Sequence, residues 1–481
     1  MMRLRFSLVV ALAAVAGLVV PISAQQYSIT NLGSLGGSFV FTYPNAINNS
    51  GQVAGTADNA DFSLFTPFRT ERNSPINPLT DNLGVLPGVG ATTGSATSVN
   101  DSGQVTGNAF TPVVGSPGSF FTTAYRADPG NSTLVNLGTR TISGWPGTPS
   151  SLGNHINNSG QVTGGATTEE AAVPCGATVN GQAFLTAADG PVSSAEDVGT
   201  LQVGNCGYSF GYAVNNSGQV VGYSNVGGLF SSTTHAFLAT SGVANQDLGT
   251  LGGNISTAVA INDAGQVVGS SDFNPSMPYH PHAFLATATS PMKDLGTLGG
   301  TYAQANSINN AGQIVGTSTL SGDTVGDTFI YQNGTMTDLQ TLIPAGSGWV
   351  LQNVQGINDV GQIVGNGLYN GTEAAFRLDP PLNVGVSNLI TEVSTLNLGL
   401  SAAEVRILTA TLDVALAEVK RVSEGSSGPG GQAGANVAKL IARADLEVFI
   451  AELRALVNNG TLNAASAASL TSVAMNLISA L

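Results

Sequence analysis

From Tyr27 to Leu378 apolar and polar residues alternate in short bursts, broken by glycine, asparagine, aspartate and proline. That period of two predicts short, half-buried β-strands joined by tight turns. The pattern also repeats. INNSGQVAG from Ile47 returns as VNDSGQVTG from Val99, INNSGQVTG from Ile156 and VNNSGQVVG from Val214. It returns again as INDAGQVVG from Ile261, INNAGQIVG from Ile308 and INDVGQIVG from Ile357. Counted between their asparagines, the seven copies stand 52, 57, 58, 47, 47 and 49 residues apart. Recurrence at this period marks a chain of repeated supersecondary units.

Each copy reads as a hairpin. Its asparagine (Asn48, Asn100, Asn157, Asn215, Asn262, Asn309, Asn358) is of the type that folds its side chain onto nearby backbone amides. Its glycine (Gly51, Gly103, Gly160, Gly218, Gly265, Gly312, Gly361) suits a left-handed turn position. Downstream comes an aromatic strand: TPFR from Thr66, TAYR from Thr123, QAFL from Gln182, HAFL from His235 and His282, DTFI from Asp327 and AAFR from Ala374. A strand of the DLGTLGG type then closes the unit, as at Asn82, Asn136, Asp197, Asp247, Asp294 and Asp338. Four short strands in roughly 50 residues is the content of one propeller blade.

The phase of the repeat predicts how the ring closes. The chain opens on a DLG-type strand, YSITNLGSLGG from Tyr27, with no hairpin before it. It ends its last unit on AAFRL with no DLG strand after it. The expected fold is therefore an all-β, seven-bladed β-propeller closed by pairing of the N-terminal strand with the last unit. An open solenoid, the alternative, needs capping repeats. After Pro380 and Pro381 the period changes to helical, with Val405, Leu408, Leu412, Leu416 and Val419 on one face. A glycine-rich stretch, Gly425 to Gly434, precedes a second helix from about Asn436 to Val457. Asn463 is positioned to cap a third, with Leu470, Val473, Leu477 and Leu481 inward. The boundaries expected are a signal peptide over 1–24, the propeller over 25–380, a linker over 381–387 and a small α-helical domain over 388–481.

The three recurring motifs resemble the HAF repeats of bacterial extracellular proteins, the HAF string itself standing at His235 and His282. VFIAELRALVNNGTLNAASAASLTSVAMNLISAL from Val448 resembles the FIMAH domain, a helical module at the C-termini of bacterial secreted proteins. The first resemblance implies an extracellular location and a repeat fold but no reaction. The second implies an interaction or attachment element; a plain helical cap is the alternative.

Composition narrows the partners. Of 481 residues, 42% are hydrophobic and 9% charged, which is too apolar for disorder. A net charge of −15 argues against nucleic-acid backbone and anionic lipid as ligands. MMRLR followed by FSLVVALAAVAGLVV and PISA reads as a signal peptide cut after Ala24, leaving a secreted or periplasmic chain; a retained anchor is the alternative. No later segment reaches the ~18 unbroken apolar residues of a membrane span. Cys175 and Cys206, an even number in an exported chain, are expected to form a disulfide.

Catalytic signatures are scarce. The sequence holds no nucleophile elbow, phosphate loop, HExxH or paired-carboxylate motif, and no cofactor is expected. Its four histidines are His155, His235, His280 and His282. The YHPH run from Tyr279 lacks thiols or carboxylates to complete a metal set, and the Asn/Asp turns lack the carboxylates of a calcium loop. Ligand contacts are expected where the repeat is broken, at Trp145, Trp349, Phe65 and Phe120, although the tryptophans also suit packing beneath long loops. The reading is a non-catalytic binding or structural protein presenting loops to a glycan, peptide or cell-surface partner. The alternative is an extracellular hydrolase or lyase acting on the central face.

Overall fold

The computed structural model describes residues 26–116, 119–130, 133–139, 150–168, 180–192, 195–201, 207–227, 233–274, 280–323, 326–396, 398–424 and 429–481. Seven small antiparallel sheets form a ring, the seven-bladed β-propeller that the repeat predicts. Within a blade the strands are consecutive and pair in order from the axis outward. Blade 4 is Ser209–Val214, Val220–Asn225, Thr234–Ala239 and Gln246–Asp247. Blade 1 keeps three strands, Phe39–Ile47, Val53–Asn59 and Phe65–Arg69, and its fourth is reduced to a bridge between Phe68 and Asn82.

Closure follows the expected phase. Blade 7 consists of Trp349–Ile357, Ile363–Tyr369 and Thr372–Asp379, and its outer place is taken by Ser28–Asn31. Ser28 lies opposite Asp379 and Asn31 opposite Phe376. Tyr27 joins the buried cluster of Leu339, Trp349, Phe376 and Leu378, so closure buries apolar surface as well as pairing backbone.

The last glycine of each motif has a steric cause. Every innermost strand bulges at one equivalent residue: Asn45, Thr97, Asn154, Tyr212, Val259, Asn306 or Gln355. Opposite stand Gly55, Gly107, Gly164, Gly222, Gly269, Gly316 and Gly365. A Cβ on any of them would collide with a carbonyl oxygen of the bulged strand. On its other side each glycine pairs with the buried aromatic of the third strand, from Phe68 and Tyr125 to Phe376. The ring covers the bare glycine, a packing used to compensate glycine in sheets. This pairing, seven times over, links the GQVxG and HAF motifs.

The chain then forms four helices: α1 (Leu382–Thr395), α2 (Ala402–Glu424), α3 (Pro429–Asn458) and α4 (Ala464–Ala480). Residues 382–387, expected as linker, are already helical, because Gly385, Val386 and Leu389 are buried and the Pro381 carbonyl accepts from the Val384 amide at 2.9 Å. Likewise α3 starts at Pro429, inside the glycine-rich stretch, where proline is tolerated in a first turn. Asn463 caps α4 as expected, accepting from the Ser466 amide at 2.8 Å. Leu408, Leu412, Phe449, Leu453, Leu470, Val473 and Leu477 build one core, and Val360 of the blade 7 turn enters it. The helical domain thereby sits on the propeller face that carries the asparagine turns. Among the described residues no helix is long and apolar enough to cross a membrane.

Candidate functional site: the propeller axis

The motif asparagine acts within its turn and between blades. Asn48 Oδ1 accepts from the amides of Ser50 at 3.1 Å and Gln52 at 2.9 Å, and Gly51 takes φ of 77°. Asn48 Nδ2 donates to Gln52 Oε1 and also to the carbonyl of Asn100 in the next blade. The same cross-blade bond recurs at Asn100, Asn157, Asn215, Asn262, Asn309 and Asn358, all between 2.8 and 3.1 Å, and Asn358 returns to Asn48. Seven side chains thus close a hydrogen-bonded ring about the axis.

A second ring lies one residue further on, at Asn49, Asp101, Asn158, Asn216, Asp263, Asn310 and Asp359. Each backbone amide donates to the Oδ1 of the next blade's residue, at 2.7 to 2.9 Å, and Asp359 donates back to Asn49. Only asparagine or aspartate presents an acceptor at that reach, which accounts for the invariant Asn-Asx pair within this chain. Replacing Asn262 by alanine removes its bonds to Asn309 O, Gln266 N and Gln266 Oε1, made at 3.0, 2.9 and 2.8 Å, and leaves Asn309 O with the Gly312 amide alone. The expected loss is about 2 kcal/mol in urea unfolding, because three hydrogen bonds of the turn and its neighbour are lost together. A loss below about 0.5 kcal/mol, the level of a neutral surface change, would refute the ring's energetic role.

Because Oδ1 is committed to a backbone amide, the second atom of each side chain faces its neighbours. Asp101 Oδ2 accepts from Asn49 and Asn158, Asp263 Oδ2 from Asn216 and Asn310, and Asp359 Oδ2 from Asn49 and Asn310. Three carboxylates thus alternate with amide donors in a crown. Burial pushes Asp101 upward in pKa and carries Asp359 to about 7, with Asp101 and Asp263 adding repulsion at Asp359. Inward-facing NH2 groups make the crown a poor cation cage. Among the described residues no three His, Cys, Asp or Glu side chains gather as a metal set.

The helical domain seals this end. Ser469 Oγ accepts from Asn49 Nδ2, Asn476 Nδ2 donates to Asn49 O, and Asn388 Nδ2 donates to Gln313 Oε1. A cavity of about 500 Å³ beside α4 is edged by Asn73, Gln362, Asn476 and Arg377. Asn73, Gln362 and Asn476 bond one another, and Arg377 clamps Asp379 at 2.8 and 3.1 Å. That wall reads as the seam between the domains.

At the opposite end the axis opens into a channel of about 450 Å³. Its walls are the bulged residues, which turn their side chains inward as bulges do, together with His155 and the strand-end aliphatics Ile47, Val99, Ile261, Ile308 and Ile357. Asn45, Thr97, Asn154 and Asn306 each hold a carbonyl of the following blade at 2.7 Å. Tyr212, Val259 and Gln355 occupy the other three places. Tyr212 packs against Phe210 and Tyr223 at 5.2 and 5.9 Å between ring centroids. By strand direction this is also the rim where Phe41 meets Phe62 and Phe110 meets Phe120, at 5.0 and 6.3 Å.

The sequence-derived positions scatter. Trp349 is 6% exposed and packs on Tyr369 and Phe376, so it is a core residue rather than a ligand platform. Phe120 is 49% exposed and Phe65 half-buried, both on the open rim and away from the channel wall. Trp145, Cys175, Cys206 and Tyr279 lie outside the described residues. His235 and His282 bond Asp247 and Asp294 of the neighbouring strand, each at 2.9 Å, which ties the HAF motif to the DLG motif. His155 is half-buried on the axial channel wall, where desolvation holds its pKa down to about 4. The crown, Tyr212 and the contacts that seat the predicted helices on the axial face escaped sequence reasoning. One signal was available: Val360 stands where the other six turns carry serine or alanine.

No family model and no curated relative matches the chain. Among solved structures it is similar to the β-propeller domain of the Trilobed protease from Pyrococcus furiosus, at 10% identity over 71% of this chain and 96% of that one, with a TM-score of 0.45. It is also similar to TolB from Acinetobacter baumannii, at 12% identity over 68% and 76% of the two chains, TM-score 0.35. Trypanosoma rangeli sialidase follows at 11% identity, 70% and 59% coverage and a TM-score of 0.33. These likenesses supply no residue-level correspondence, and the fold rests on the sheet order and closure described above.

Proposed function

We propose that this is an exported, non-catalytic binding protein whose axial channel, open opposite the helical domain, receives an uncharged polar ligand such as a glycan. The observation that carries this reading is the channel wall: amides, hydroxyls, aliphatic side chains, Tyr212 and an imidazole, His155, that burial disfavours as a cation, with aromatic pairs around the rim. Amides and hydroxyls satisfy sugar hydroxyls, and an aromatic face stacks on the apolar face of a pyranose. The axial carboxylates, by contrast, lie at the covered end and are bound by asparagine amides. Export is supported by the basic and apolar segments of residues 1–24 and by the resemblance to HAF repeats. The resemblance of the tail to FIMAH domains supports a role for the helices in attachment.

Glycan-array screening of residues 25–481, followed by calorimetry on the best glycan, tests the proposal. Replacing Tyr212 by alanine is expected to weaken that binding about tenfold, the worth of one aromatic contact. Absence of any glycan binding, or turnover of a glycan instead of stable binding, would overturn it in favour of a hydrolase or lyase on the same face.

A further inference from the structure

Beyond that binding reading, the docked end holds an unbalanced charge. Glu392 of α1 is 1% exposed and points into the axial crown. Its Oε1 receives one long bond, 3.4 Å from Asn310 Nδ2, and its Oε2 has no hydrogen-bond partner. The charged groups that act on it are Asp359, Asp263 and Asp101, from the turns of blades 7, 5 and 2. From α4 the groups facing the crown are the neutral Ser469 and Asn476, and His155 deeper on the axis is held neutral. Glu392 and Asp359 are both buried, with the half-buried Asp101 and Asp263 beside them and no cation facing them among the described residues, so both are disfavoured as charged groups.

We propose that the helical domain is a proton-dependent cap: Glu392 docks on the crown by taking up a proton, which its Oε2 then donates to a crown carboxylate, and loss of that proton to solvent loosens the cap. The balance is simple. One proton from water enters on docking and leaves on release, and no bond between heavy atoms changes. Other hydrogen bonds across the seam run from Asn388 to Gln313, from Asn476 to Gln362 and Asn49, and from Asn49 to Ser469, between groups that do not themselves titrate. Sensitivity to pH is therefore concentrated at Glu392 and its carboxylate neighbours.

The sign follows from the direction of the shift. Burial, then the three aspartates, raises Glu392 well above the usual carboxylate range when docked, whereas a released Glu392 is free of both effects. Docking is fully favoured below the free value and is lost as pH climbs through the docked value, at about tenfold per pH unit for one proton. Release uncovers the crown and the Val360 side of the propeller face.

Hydrogen exchange on the full chain, corrected for intrinsic rate, tests this over residues 386–393 and 467–477. Between pH 6 and pH 8.5 protection of both segments is expected to fall at least about tenfold, while the glycine–aromatic strands of blades 4 and 5 stay protected. Glu392→Gln keeps the bond from Asn310 and supplies a permanent donor, so it should hold protection at pH 8.5 near the pH 6 level. Asp359→Asn removes one repelling charge and so brings the docked value down toward the free one; it should shrink the fall in protection between pH 6 and pH 8.5, and it serves if the first variant does not fold. Equal wild-type protection at both pH values overturns the proposal. So does a fall in Glu392→Gln parallel to the wild type.

Discussion

Replacing Gly316 with alanine is expected to cost the protein at least about 3 kcal/mol and to leave blade 6 unformed at ordinary temperature. The added methyl would meet Gln304 O, with Ala305 Cα and a Phe329 ring carbon each at 2.9 Å. None of these can yield cheaply. Gln304 belongs to the bulged strand whose next residues form the axial turn, and Phe329 is fully buried between blades. A shift of the strand would pull Asn306 from Val354 O and disturb Asn309 in the ring. Gly326 is the control. It lies at the exposed start of the third strand with nothing within 4 Å of a built Cβ, so Gly326→Ala should stay within about 0.5 kcal/mol of the wild type. Urea unfolding of the two variants separates the cases, and equal midpoints would mean the glycine is turn chemistry alone.

How much of this was legible beforehand depends on the range of each interaction. Alternation, the glycine turns and the phase of the repeat are local or periodic properties, so the propeller and its closure by Tyr27 to Asn31 could be read from sequence. The turn role of Asn48 was legible for the same reason, since Oδ1 reaches amides two and four residues on. Its second role was not, because Asn100 lies 52 residues away and is brought near only by ring geometry. The same holds for Asp101, Asp263 and Asp359. As letters they are interchangeable turn residues; as a crown they meet one another and Glu392 through blades far apart in sequence.

Two misplacements have identifiable physical causes. Residues 382–387 look like a linker because valine, glycine and asparagine are weak helix formers, but tertiary burial of Val386 and Leu389 overrides propensity. Trp349 looks like a loop aromatic because it follows Gly346 and Gly348, yet it begins the innermost strand of blade 7 and faces Phe376. In both, packing against a distant part of the chain decides the outcome. The channel residue Tyr212 follows the same logic in reverse: it sits in an alternating strand, and only the bulge turns it inward.

The propeller is a closed ring, in which each blade's turn is held by the next and the N-terminal strand supplies the last link. Deleting residues 26–31 removes the pairing with Thr372–Asp379, buried Tyr27, and the route by which blade 7 holds blade 1. Because Asn358 must still reach Asn48 for the asparagine ring to exist, damage at the seam is expected to spread around the axis. Hydrogen exchange of the seven turn segments, measured in the full chain and in this deletion under the same conditions, is the direct test. A closed ring predicts that protection falls in all seven turns together, by at least about tenfold. Loss confined to the turns at Asn358 and Asn48, with the other five protected as in the full chain, would mean an open stack of independent units and would contradict the account.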